Sequence, residues 1–136
     1  MSCIMVSREC LPQVLVVDGD PLSRLLLASL LRRRGCAVTE DGDGDNALGR
    51  LHEISFDLVI LGMMVSGMSG IKLCHRVRDE LGLVELPVVA YTAHDDLARI
   101  AQMRLAGFNS FLFKPVDGFM LDGILEKVMI RQPERT

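Results

Sequence analysis

The residues able to do chemistry sit in a few short polar clusters. In DGDGDN (41–46), Asp41, Asp43 and Asp45 alternate as ligands do in a twelve-residue calcium loop. The sharp-turn position that needs glycine is Asn46, however, and the closing position that needs a bidentate glutamate is His52. The segment therefore reads as a solvated loop that caps the next helix. Gly62 to Gly67 has the glycine spacing of a phosphate-wrapping loop, but Met68 stands where such a loop carries its lysine, so nucleotide binding is not expected. Asp18 and Asp20 could share a cation, although an aspartate directly before Pro21 and a helical stretch is more simply a helix N-cap. His52, His75 and His94 fall singly, without a partner for nucleophilic or metal chemistry.

These clusters need elements to position them. QVLVVD (13–18) is a continuous β-branched run of strand length stopped by Gly19 and Pro21, the pattern of a strand buried on both faces. DLVILG (57–62), PVVAYT (87–92) and SFLFK (110–114) repeat it, and the shorter CAVTE (36–40) makes a fifth run. Between them lie stretches of helical spacing: 21–34, 44–53, 70–82, 94–106 and 117–131. Such alternation predicts a parallel α/β sheet covered by helices on both faces, since parallel strands need crossovers. Gly35, Gly82 and Gly107 mark helix ends where positive φ is expected. One domain over 13–131 is expected, with tails at 1–12 and 132–136.

In an open doubly wound sheet, ligands meet the carboxyl ends of the strands. The residues there are Asp18, Gly19, Asp20, Gly62 to Ser69, Thr92, Ala93, Lys114 and Pro115. VLVVDGDP (14–21), DLVILGMMVSGMSG (57–70), PVVAYTA (87–93) and FLFKPVD (111–117), in this order, resemble the receiver domain of two-component response regulators from about Gln13 to Ile130. The resemblance implies a five-stranded flavodoxin-like fold of strand order 2-1-3-4-5. It also implies two adjacent acids for Mg²⁺ after the first strand, a phosphoacceptor aspartate ending the third, a Thr or Ser after the fourth and a Lys before a cis Pro after the fifth.

Asp18, Thr92 and Lys114 match those positions, whereas the second acid is Gly19 and the phosphoacceptor is Gly62. Phe111 keeps the ring of the family's aromatic switch without its hydroxyl. Glycine has no side chain with which to attack a phosphodonor. Loss of two of three carboxylates removes most of the hard oxygens that Mg²⁺ requires, so no catalytic group and no cofactor are expected, with Asp18 and Asp20 the weak metal candidates. Gly62→Asp alone should regain little phosphorylation, and Gly19→Asp with it should regain more. Asp57, roughly 16 Å up the same strand at about 3.3 Å per residue, is read as a surface strand-start residue. Lys114 is expected to pair with Asp18.

The resemblance therefore implies a phosphorylation-independent pseudo-receiver of a two-component or phosphorelay system, not an enzyme. It would bind signalling proteins such as a histidine kinase, an output domain or another regulator. The alternatives are phosphotransfer through an unconventional acceptor such as Asp20, or a small-ligand sensor using the emptied pocket. On the last helix Leu121, Ile124, Leu125 and Val128 form one apolar stripe while Phe119 and Ile130 point away. With Phe111, Phe119 and Ile130 are the interface candidates, on the face (fourth helix, fifth strand, fifth helix) through which receivers commonly dimerise. Met63 and Met64 are read as core filling.

A net charge of −3, with acids and bases interspersed, lacks the one-signed excess of a nucleic-acid footprint. No run of eighteen apolar residues is present in the sequence, and neither a secretory signal nor membrane contact is expected. Cys3, Cys10, Cys36 and Cys74 show no metal-ligand or CxxC spacing, which suits a reducing, cytoplasmic setting.

Overall fold

The computed structural model describes residues 11–93 and 96–129. In chain order the elements are β1 (Gln13–Val17), α1 (Pro21–Arg33), β2 (Ala37–Asp41), α2 (Gly44–Glu53), β3 (Leu58–Gly62), β4 (Met64–Val65), β5 (Met68–Ser69), α3 (Gly70–Asp79), β6 (Val88–Thr92), α4 (Leu97–Ala106), β7 (Ser110–Phe113) and α5 (Gly118–Met129). The large sheet is parallel throughout, in the order β2-β1-β3-β6-β7, the expected 2-1-3-4-5 arrangement once the short hairpin β4–β5 is set aside.

Strand alternation sorts the apolar runs between two cores. Val14, Val16, Leu58, Ile60, Val89, Tyr91 and Leu112 face α1 and α5, where Leu27, Leu31, Leu121 and Val128 meet them. Leu15, Val17, Val59, Leu61, Val88 and Ala90 face α2, α3 and α4, through Leu48, Leu51, Leu73, Val77 and Met103. Leu58, Val59, Ile60 and Leu61 have no exposed surface, which explains why β3 is a continuous apolar run. Each such side chain contributes about 2 kcal/mol of burial.

Gly35, Gly82 and Gly107 take positive φ (84°, 68° and 112°) as expected, but α3 ends at Asp79 with Glu80 as its C-cap, so Gly82 lies in the following loop and not at a helix end; the Lys114–Pro115 peptide is cis. The hairpin β4–β5 was not anticipated, because two-residue strands are too short to carry a period. Its signal was the Ser66–Gly67 turn pair, with Gly67 at φ 92°. Helix α4 starts at Leu97, with Asp96 accepting from the Arg99 N–H as N-cap; His94 lies outside the described residues. No helix among the described residues is long and apolar enough to cross a membrane.

Candidate functional site

The parallel sheet brings the ends of β1, β3, β6 and β7 together around Asp18, Gly62, Thr92 and Lys114. Asp18 follows the last residue of β1 and is only 2% exposed. Its backbone is held from both sides: its N–H donates to Asp41 O at 3.1 Å, and its carbonyl accepts from Arg24 Nη1 at 2.7 Å. The carboxylate is thereby aimed across the sheet. Oδ1 accepts the Asp20 N–H at 2.9 Å, and Oδ2 lies 2.8 Å from Lys114 Nζ. The Lys114 contact is a charge pairing without hydrogen-bond alignment. Lys114 Nζ also lies 4.8 Å from the centre of the Tyr91 ring.

Gly62 takes its meaning from this arrangement. A Cβ at residue 62 would come within 2.7 Å of Asp18 Cγ and Oδ2. The retained acid thus fills the space in which a side chain at 62 would begin. Gly19 is equally committed: its N–H donates to Met64 O at 2.9 Å, and a Cβ there would stand 2.7 Å from that same carbonyl. A Cβ on Gly70 would collide with the Gly62 carbonyl. The hairpin is strapped down further by Gly44 N–H to Ser66 O at 2.9 Å and Ser66 N–H to Gly42 O at 3.0 Å. Gly19 is therefore a packing requirement of this loop as well as a missing acid, whereas the contact at residue 62 is with the end of a side chain that can move.

Thr92 is 2% exposed and its carbonyl accepts the Lys114 N–H at 2.8 Å, so it does join the cluster. Asp20 is exposed and holds the expected N-cap position of α1, but its side chain makes no capping bond and its carboxylate accepts instead from the Ser23 hydroxyl at 2.5 Å. That bond is the main reason its carboxyl lies below the ordinary carboxylate range. Tyr91, read in the sequence only as part of a strand, closes the floor by donating its hydroxyl to Ser23 O at 3.1 Å. Burial, reinforced by the Asp18 and Asp20 charges, pushes its phenol up to about 12. Around these groups is a cavity of about 540 Å³ lined by Asp18, Asp20, Met63, Met64, Tyr91 and Lys114 among others.

The donor set does not fit Mg²⁺. The ion requires an octahedron of oxygens at about 2.1 Å. Here both Asp18 oxygens face other partners, the Asp20 carboxylate is bonded to Ser23, the Met64 carbonyl is taken by Gly19, and Gly19 and Gly62 supply nothing. Among the described residues no three His, Cys, Asp or Glu side chains gather as a metal group. The cation against the Asp18 carboxylate is the Lys114 ammonium.

Other sequence readings are corrected. Asp57 is 9% exposed and accepts the Gln13 N–H at 2.7 Å, so it is a buried tie between two strand starts and not a surface residue. Asp41, read as part of a solvated loop, is 8% exposed and pairs with Arg50 at 2.7 Å, while Asp43 does cap α2 by accepting from Asn46 N–H. Met63 packs on the core as expected, but Met64 is exposed on the cavity rim. Phe111 is half-buried, with the Arg104 guanidinium 4.8 Å from its ring centre, and Phe119 is 91% exposed. Ile130 lies outside the described residues. The sequence reading missed Arg24 and Tyr91, whose roles depend on contacts outside their own elements, with the Asp18 carbonyl just before α1 and with the Ser23 carbonyl 68 residues away in sequence.

The response regulator receiver domain model matches residues 14–126. The chemotaxis protein CheY of Pseudomonas aeruginosa is 34% identical over 120 residues, covering 88% of this chain and 97% of that protein. The transcriptional regulatory protein AfsQ1 of Streptomyces coelicolor is 30% identical over 121 residues, covering 89% of this chain but 52% of the longer regulator. In fold, the chain superposes on the chemotaxis response regulator CheY4 of Vibrio cholerae with a TM-score of 0.81 at 24% identity, over 87% of this chain and 98% of that one. With the sheet order, the strand-end residues and these likenesses in agreement, the chain belongs to the response regulator receiver domain family, the receiving module of two-component signalling.

Proposed function

We propose that this receiver domain signals without accepting a phosphoryl group, as a pseudo-receiver that acts through protein–protein contacts. The observation that carries the reading is the Asp18 carboxylate, lodged where a side chain at residue 62 would begin and neutralised by Lys114 2.8 Å away. Phosphoryl transfer needs an in-line carboxylate nucleophile and charge stabilisation at the transferring group. Gly62 supplies no nucleophile, and the lysine that would grip the phosphoryl group is already paired. The pocket then holds one state, and signalling falls to the outer faces, toward a kinase, an output domain or another regulator in the cytoplasm. The domain performs no catalysis of its own.

The test is incubation with a small phosphodonor and Mg²⁺ followed by intact mass measurement. No added phosphoryl group is expected. A stoichiometric, acid-stable and base-labile adduct would overturn the reading, and mapping it to Asp20 would identify an unconventional acceptor. A second reading, small-ligand sensing, is favoured by the cavity of about 540 Å³ beside the Asp18–Lys114 pair. It predicts a clear thermal shift with a metabolite or nucleotide, which the first reading does not.

A further inference from the structure

Helices α3 and α4 pack on the same face of the sheet, and both start at its carboxyl end. The first turn of α3 is pinned to β3. Gly70 donates its N–H to Met63 O at 2.9 Å, and a Cβ there would collide with the Gly62 carbonyl. The first turn of α4 is set separately, by Asp96 accepting from the Arg99 N–H at 2.9 Å. Between the two starts is a cleft of about 280 Å³, lined apart from the Asp18–Lys114 pair of the larger cavity.

The walls of the cleft are apolar: Met63 and Met64 from the loop after β3, Ile71 from α3 and Met103 from α4. Met103 is 2% exposed, so the base belongs to the core, whereas Met64 is 82% exposed. Apolar walls hold water poorly, and thioethers on flexible stems adapt to what enters. The exposed polar groups are Ser69, Gln102 and Arg99, which form the rim. Among the described residues that line the cleft, Arg99 alone is charged. Its Nε lies 3.5 Å from Asp96 Oδ2, long for a hydrogen bond, so its terminal nitrogens remain available to another acceptor. Neither helix carries an acid in its first turn, and α3 is capped by the neutral Ser69, which favours a negative charge at this end.

We infer that the cleft between α3 and α4 is a binding site for a small amphipathic carboxylate, its apolar chain on Met63, Ile71 and Met103 and its head on Arg99. Occupancy requires no change at the Asp18–Lys114 pair, so the site stands apart from both functional readings above. A volume of about 280 Å³ is at the lower edge of ordinary ligand sites, about 300 Å³, which selects a short chain. A guanidinium offers a carboxylate two parallel N–H donors, a match that an alcohol or an amine cannot make. Binding of so small a ligand is weak, with a Kd on the order of a millimolar. Because Met63 and Met64 also line the larger cavity, the bound chain steadies the wall between the two.

Titration of the full chain with octanoate, followed by methyl NMR, should give saturable shifts at Met103 and Ile71, which line this cleft and not the larger cavity. Val65, which lines only the larger cavity, should stay still. Octanol should bind about fivefold more weakly than octanoate, and octylamine more weakly again. Arg99→Gln should weaken octanoate about fivefold, with Arg99→Lys intermediate. Gln102→Trp, at the rim, should close the cleft to the chain. Both positions are exposed, so circular dichroism should be unchanged. Absent shifts at Met103 and Ile71, shifts centred on Val65, equal affinity for octanoate and octylamine, or binding indifferent to both Arg99→Gln and Gln102→Trp would each overturn the assignment. The phosphodonor experiment tests the pseudo-receiver reading separately, and either result can fail without the other.

Discussion

The two ends of the sheet accommodate a charged side chain in opposite ways. At the amino end Arg78 spreads its guanidinium over backbone carbonyls, donating to Gly107 O at 2.6 Å and to Leu83 O and Leu86 O at 2.7 Å, with Asn109 Oδ1 at 2.8 Å. The cation closes two loops, the one between α3 and β6 and the one between α4 and β7, by hydrogen bonding alone. At the carboxyl end Asp18 meets a single opposite charge, Lys114, beside a cavity of about 540 Å³. One end is a joint, satisfied by fixed backbone. The other is a pair of opposite charges that cancel each other and close a site. The difference separates a contact that keeps the domain folded from one that sets the charge of the site.

The most severe way to break this contrast is to restore the acids. Gly19→Asp together with Gly62→Asp should cost about 4 kcal/mol, the larger share at residue 19, where the added side chain meets backbone. Asp18 can swing out of the way of residue 62, whereas the Met64 carbonyl facing residue 19 belongs to the strapped loop. Denaturant unfolding measures the loss, and intact mass should still show no efficient phosphorylation. A stable, readily labelled double variant would show that the loop yields more easily than its hydrogen bonds suggest.

Next in size, Lys114→Met should cost about 3 kcal/mol by stranding the buried Asp18 carboxylate. Adding Asp18→Asn should recover most of that loss, and failure to recover it would mean that Lys114 acts through packing and not charge. At the joint, Arg78→Lys should cost about 2 kcal/mol although the charge is kept, because one ammonium cannot reach the carbonyls of Gly107, Leu83 and Leu86 together. A neutral result there would erase the distinction between the two ends.

The smallest effect is a titration. Tyr91 is the chain's one tyrosine and there is no tryptophan, so phenolate absorbance reads it directly. It should ionise near 12 instead of 10. Because the folded state holds the proton more tightly, this contribution to stability is fully present below pH 10 and is lost as pH rises toward 12. Ionisation near 10 would mean that the carboxyl end is more open than its packing indicates.

Much of the fold was legible in advance because strand burial and helix periodicity are local patterns. β3 reads as buried from DLVILG alone, and Gly107 announces the end of α4 by its position. The hairpin was not legible, since its strands are two residues each. Asp57 was misread because its partner, the Gln13 N–H, is 44 residues away in sequence. The exposure of Phe119 on α5 is legible from its helical phase, whereas that of Leu97 and Leu105 on α4 is not, because outward exposure is settled only when the inward face is known.

The sequence by itself determined the alternation of strands and helices, the gathering of Asp18, Thr92 and Lys114 at strand ends, and the lack of a carboxylate at 62. Those are consequences of residue type and spacing. Only the tertiary structure decided that Asp18 fills the space beside Gly62, and that Gly19 is held beneath the Met64 carbonyl. Both depend on loops more than forty residues apart meeting within van der Waals distance, and no local pattern encodes where a side chain turns when such neighbours arrive.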